Sequence, residues 1–336
     1  MKLFSRPILP VRQEAAVQKT LANLRAQRRN RFRILACIDG SEESFITVRK
    51  AARFGASDEC DIIILYVRPI DQGLHSGGLQ LRLARQNMMD AGFELPGVAH
   101  LKRALEILKA EGLDVSGWQK EIQNQHAWGD PAGDNKIEYR APSGRLVVLK
   151  LKTAPDVAVG ILDQYELGPY NLIIVGEPSR WRSEFISFFD SGVVQTVATM
   201  ALCSVLVARK ANERMGFLIA TDGSALSMQA VRRAAVLAFV MGRSITLLSV
   251  ATEESERAAA EEAIAKAEGL LKAMKIMTIG NKVVVGDPIT AIVENGNNFG
   301  TIVIGAERHS RLRRLVKGSK ATEVVRRATT SVLEVR

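Results

Sequence analysis

The sequence predicts an α/β protein built from two tandem copies of one domain. Two observations carry this. The run Arg33-Ile34-Leu35-Ala36-Cys37-Ile38-Asp39-Gly40-Ser41 matches Gly216-Phe217-Leu218-Ile219-Ala220-Thr221-Asp222-Gly223-Ser224, so an apolar strand ending in Asp-Gly-Ser occurs twice. The same succession of strand-like and helix-like segments follows each copy, and such alternation favours a parallel sheet covered by helices on both faces.

After each Asp-Gly-Ser comes a helical pattern, with Val48, Ala51 and Ala52 in one copy and Val231, Ala234, Ala235 and Ala238 in the other. A second apolar strand follows at Ile62–Val67 and at Ile245–Val250. Later, Leu172-Ile173-Ile174-Val175-Gly176 matches Ile302-Val303-Ile304-Gly305, and Ser204-Val205-Leu206-Val207 matches Ser331-Val332-Leu333-Glu334. The domains expected are 31–210 and 211–336, after a basic arm at 1–30. The halves are expected to be pseudo-symmetric and to meet through the short apolar strands Val205–Ala208 and Val332–Val335. One continuous sheet is not expected.

The copies differ in length. The first carries an insertion over about 70–145. Within it Leu79–Met89 and Leu101–Ala110 read as helical, while Trp118–Ser143, rich in Gly, Pro, Asn, Asp and Gln, reads as an extended loop. The second copy is compact, with an alanine-rich helix over Glu253–Lys275 and a strand before Gly286-Asp287-Pro288.

The chain has 336 residues, 47% hydrophobic and 24% charged, as expected of a globular protein. No apolar run reaches membrane-spanning length, so a cytoplasmic protein with no transmembrane segment is expected. Cys37, Cys60 and Cys203 are far apart and lack metal-ligand spacing, which fits a reducing compartment. The net charge is +10, and the arm supplies most of it through Lys2, Arg6, Arg12, Lys19, Arg25, Arg28 and Arg29 against Glu14. The arm and the insertion are the surfaces expected to meet a protein partner.

The stretch 301–336 holds the candidate site. It reads as strand, Gly305, a basic loop, Gly318-Ser319, helix and strand. A helix start with its unpaired N–H groups favours a phosphate, glycine permits close approach, and Ser319 can cap the helix or donate its hydroxyl. The spacing of Gly305, position 308 and Gly318-Ser319 resembles the universal stress protein family. Its ATP-binding members have Gly, two residues, Gly, nine residues, then Gly and Ser or Thr. Arg308 stands where the second glycine is expected.

The resemblance implies two tandem Rossmann-like (adenine-nucleotide alpha-hydrolase-like) domains, each a five-stranded parallel sheet of order 3-2-1-4-5. It implies a regulatory module that binds ATP, with Mg2+ as companion ion. Thr221, Asp222 and Gly223 fall at the nucleoside end, Val250 at the adenine wall, and Ile304 and Gly305 at the base and ribose. Gly318 and Ser319 take phosphates, with Arg308 and Lys320 beside them. Intrachain pairing of the halves is implied too, and a homodimer is a further option. In the first copy Phe189-Asp190 fall where Gly-Ser is wanted, and Glu177 follows the turn glycine, so this half is expected to have lost polyphosphate binding. The competing reading is a nucleotide-free interaction scaffold in the stress response. A third is a slow ATPase, for which the sequence offers no catalytic base.

Overall fold

The computed structural model describes residues 31–69, 96–127, 130–166, 170–177, 191–210, 215–306 and 320–336. The arm, the segment Leu79–Met89, and Phe189, Asp190, Arg308, Gly318 and Ser319 lie outside the described residues. In chain order the first half has β1 (Phe32–Ile38), α1 (Glu42–Phe54), β2 (Cys60–Pro69) and α2 (Pro96–Ala110). It continues with β3 (Gln119–Ala127), β4 (Asp130–Arg140), β5 (Leu146–Ala154), α3 (Val157–Glu166), β6 (Leu172–Gly176), α4 (Ser191–Met200) and β7 (Ser204–Ala208). The second half has β8 (Phe217–Ala220), α5 (Ala225–Val240), β9 (Ile245–Ala251), α6 (Arg257–Ala273) and β10 (Gly280–Val285). It ends with α7 (Pro288–Gly296), β11 (Thr301–Gly305), α8 (Lys320–Arg327) and β12 (Ser331–Val335).

These strands form one 12-stranded sheet in the order β10-β9-β8-β11-β12-β7-β6-β1-β2-β5-β4-β3. This corrects the expectation of separate sheets. Each half is parallel through its five repeated strands, and the two blocks fuse because β12 pairs antiparallel with β7. The register sets Val332 against Val207, Leu333 against Leu206 and Glu334 against Val205. An antiparallel join keeps a pseudo-two-fold between the halves, so continuity and internal repetition coexist.

Burial on both faces explains the unbroken apolar runs. Along β1, Ile34, Ala36 and Ile38 enter the layer under α1, α2, α5 and α6. Leu35 and Cys37 enter the opposite layer under α3, α4 and α8. Cys37, Cys60 and Cys203 are all buried, and burial pushes the thiols of Cys60 and Cys203 up to about 12.

The segment 118–143 is a second correction, because a hairpin stands where a loop is expected. β3 pairs antiparallel with β4, and β4 with β5. β3 is an edge strand whose Lys120, Glu121 and Gln123 are exposed. An edge that keeps out other chains is polar, so its composition mimics a loop.

The repeated Asp-Gly-Ser turn has one local mechanism. Gly40 and Gly223 adopt φ of 91° and 75°, where a side chain is disfavoured. The preceding Asp accepts from the Ser backbone N–H, at 2.8 Å for Asp39 and 3.0 Å for Asp222. The serine hydroxyl then caps the helix, accepting from Ser44 N at 3.1 Å and from Ser227 N at 3.2 Å. The N-cap is therefore the serine, which leaves Asp222 for other work. Ser224→Ala is expected to cost about 1 kcal/mol in urea unfolding.

The join between the halves is built the same way twice. Arg209, just past β7, donates to the carbonyls of Val325 at 2.5 Å and Thr330 at 3.0 Å, at the end of α8. Arg336, just past β12, donates to the carbonyls of Ala201 at 2.8 Å and Ala198, at the end of α4. The main-chain N–H of Arg209 meets Ser331 Oγ at 3.0 Å, and that of Arg336 meets Ser204 Oγ at 3.4 Å. Each half thus closes the last helix of the other.

Candidate functional site

The second half reverses its chain direction beside β8, which lies between β9 and β11. Ligands in open parallel sheets bind at the carboxyl ends of the strands flanking such a reversal. A cavity of about 250 Å³ lies there. The start of α5 forms one wall through Leu226 and Ser227, and α7 another through Pro288 and Ile292. The first turns of α8, with Lys320 and Ala321, complete it.

Of the residues expected at the site, the structure brings Thr221, Asp222, Val250, Ile304, Gly305 and Lys320 to this one cavity. Gly223 lies in the adjoining turn and accepts from Lys266 Nζ through its carbonyl at 2.9 Å. Thr221 is held by its N–H on Leu248 O at 2.9 Å and by a 3.0 Å hydroxyl contact with Ser227. Burial pushes the Asp222 carboxyl up, but hydrogen bonds from Ser224 and Ser227 outweigh this and hold it below its ordinary value. It is therefore ionised at neutral pH and can accept from hydroxyls.

Sequence reasoning missed Leu248 and Thr252, which line the cavity on either side of Val250. The signal was available, since alternate strand residues share a face. It also missed Pro288 and Ile292, which α7 delivers. Asp287 caps that helix by accepting from Thr290 N at 2.9 Å. Gly305 has a packing reason of its own: a Cβ there would lie 3.2 Å from Leu226 Cγ and 3.3 Å from its carbonyl oxygen. The rim near Lys320 is of mixed sign: the carboxyls of Glu256 and Asp287, held low chiefly by hydrogen bonds from Thr252 and Thr290, also feel its charge.

The corresponding place in the first half is packed differently. The register aligns Val67 with Val250, each two residues beyond the partner of Cys37 or Ala220. Val67 is only 4% exposed. Helix α3 sits down on it through Gly160, where a Cβ would lie 2.6 Å from Val67 Cγ1. Glu177 is not a free negative charge, because Arg209 holds it with a bond of 2.9 Å and a second, shorter one. Gly176 is required by α1, since a Cβ there would come within 3.0 Å of Ser44 Cα.

A model described as the universal stress protein family matches residues 30–209 and again 215–336. Comparison with curated proteins gave no match. A universal stress protein from Archaeoglobus fulgidus DSM 4304 superposes with a TM-score of 0.59 at 17% identity, over 90% of this chain and 98% of that one. One assigned to the same family from Pseudomonas aeruginosa UCBPP-PA14 gives 0.54 at 12% identity, over 92% and 94%. At these identities the likeness concerns the fold. A universal stress protein solved in complex with cAMP matches 37% of this chain and 98% of its own at 29% identity, with a TM-score of 0.32. Among the described residues, no helix is long and apolar enough to cross a membrane. With two matches that together span nearly its whole length, this chain belongs to the universal stress protein family.

Proposed function

We propose that the chain is a regulatory module of the stress response that binds ATP in the crevice of its second half. The observation that carries this reading is the convergence of Thr221, Asp222, Val250, Ile304, Gly305 and Lys320 on one cavity at the strand ends. Val250 and Ile304, with Leu248 and Ile292, offer an apolar wall suited to a base. The ionised Asp222 suits the ribose hydroxyls or a Mg2+ that accompanies the nucleotide. Lys320 opens α8 at the edge where Gly318, Ser319 and Arg308 would meet phosphates.

The domain division proposed is 31–210 and 211–336, with one nucleotide per chain. Closure of α3 on Val67 supports loss of the equivalent site in the first half. The test is calorimetry with ATP on the parent chain and on Val250→Trp. The parent is expected to bind one ATP. The indole fills the wall and should weaken binding by about 100-fold, the upper range for overpacking a tight site. Two ATP per chain, or full binding by the variant, would defeat the placement. No binding by the parent would favour the scaffold reading.

A further inference from the structure

A second cavity, of about 480 Å³, adjoins the nucleotide crevice, since α5 lines both and Val335 of this one pairs with Gly305 of the other. It is a trough across the ends of four neighbouring strands, lined by Phe32 of β1, Leu172 of β6, Ser204 of β7 and Val335 of β12. Strands lie about 4.8 Å apart, so the trough runs roughly 15 Å. Part of the charge inside it is already offset. The α-carboxylate of Arg336, the last residue of the sequence, accepts from Arg233, and the Arg336 side chain is spent on Glu334 and the end of α4.

What stays open is apolar. Leu202 stands on one lip at 48% exposure and Val236 on the other at 49%. Phe239 and Val240 follow Val236 on the same side of α5, at i+3 and i+4, and are 70% and 46% exposed. Soluble proteins seldom leave so many large apolar side chains uncovered in one place. The first half shows the contrast. At the positions that the shared Asp-Gly-Ser turn aligns with Val236, Phe239 and Val240 it has Arg53, Ala56 and Ser57, and Arg53 pairs with Glu111 at 2.9 Å. Helix α1 thus keeps a polar outer face where α5 keeps an apolar one.

The chain itself supplies a segment at this place. The arm at 1–30 joins the fold at Arg31, which is tied to Asp61 at 2.7 Å, and the next residue, Phe32, is part of the trough wall. The arm therefore starts where the trough starts. At about 3.3 Å per residue, about five residues cross the trough, so the arm has length to spare. Over Gln13–Arg29 its sequence puts Val17, Leu21 and Leu24 on one side of a helix, at i, i+4 and i+7. Such a helix would be about 25 Å long, which exceeds the trough. A segment tethered at Phe32 meets the α5 face at an effective concentration on the order of millimolar, so a modest apolar contact suffices.

We propose that the arm folds back on its own chain as a helix and lays Val17, Leu21 and Leu24 against Leu202, Val236, Phe239 and Val240. The contact is apolar. The arm is basic and Arg232 lies in the trough, so charge opposes the docking and does not drive it.

The test is limited trypsin digestion of the full chain, with the first cuts in the arm, at Lys19, Arg25 and Arg28, followed by mass spectrometry. Cleavage of a docked segment tracks the population that is open. The surface variant V236S/F239S and the arm variant L21S/L24S should each be cut at least about 10-fold faster than the parent, because each uncovers two large apolar side chains. The arm variant alters no residue of the sheet or its helices, so it reads the contact even where the surface variant fails to fold. The ratio of variant to parent rates should hold or grow from about 0.1 M to about 0.5 M salt, which screens the opposing charges. Position is read with a short bis-maleimide cross-linker, the chain's own cysteines being buried. L24C/V236C should link within one chain, at least about 10-fold more than L24C/V159C, whose second cysteine replaces an exposed residue of α3. The proposal is overturned if the parent's arm is cut as fast as the variants', if the ratio collapses as salt rises, or if the Val159 pair links as well as the Val236 pair. Links that join two chains would overturn it as well, and would make a second copy the occupant.

Discussion

Replacing Arg209 by alanine is expected to destabilise the chain by about 2–3 kcal/mol, below the roughly 3–5 kcal/mol of a fully buried ion pair because the Glu177 side chain is 27% exposed. The Arg209 side chain is 5% exposed and bridges three groups. Its fork holds Glu177, while Nη1 and Nη2 reach the Thr330 and Val325 carbonyls of the other half. Alanine leaves a carboxylate without its cation and strips the end of α8 of its donor. Urea unfolding monitored by circular dichroism measures the loss. Arg209→Lys should recover only part of it, since an ammonium cannot reproduce a planar fork. A loss under about 1 kcal/mol would mean that the reciprocal arginines are ornament and that apolar pairing of β7 with β12 alone holds the join.

A second large effect concerns pH. Glu334 is 1% exposed, and its Oε1 has no hydrogen-bond partner among the described residues. Burial pushes its carboxyl up to about 7 from an ordinary 4.5, although Arg336, at 2.9 Å, pulls the other way. A carboxyl whose pKa rises on folding binds its proton more tightly in the native state. Its contribution to stability is therefore greatest at low pH, and it is lost as pH climbs from about 4.5 to about 7. The loss across that window is on the order of 2–3 kcal/mol, at about 1.4 kcal/mol for each tenfold change in proton affinity. Glu334→Gln removes the titrating proton and keeps the side-chain shape. The stability difference between parent and variant should move towards the variant as pH rises through this window. A difference that stays flat from about pH 4 to about pH 8 would show that Arg336 keeps Glu334 ionised throughout.

The fold was legible where burial forces a simple pattern. Strands covered on both faces must be apolar throughout, so β1, β2, β6 and β9 stand out as runs such as Ile62–Val67. The Asp-Gly-Ser turn was legible because positive φ, a side-chain acceptor and an N-cap each demand a residue type. The hairpin β3–β4 was hidden because an exposed edge strand needs no apolar face. Fusion into one sheet was hidden too. The edge strands were recognisable, but their antiparallel register depends on which groups meet across the join. Arg209 and Arg336 gain their meaning only when Val325 and Ala198 are brought to them by the other half. At the site, Val250 and Ile304 came from what the family resemblance implies, while α7 entered only with the fold, because nothing local ties Ile292 to Val250.

The most direct measurement is photolabelling of the full chain with 8-azido-ATP, followed by proteolysis and mass mapping of the labelled peptides. The account predicts label on the peptides that carry Val250 and Ile304, abolished by excess ATP. Label recovered from residues 31–210, label shared equally by both halves, or label that ATP does not displace would contradict it.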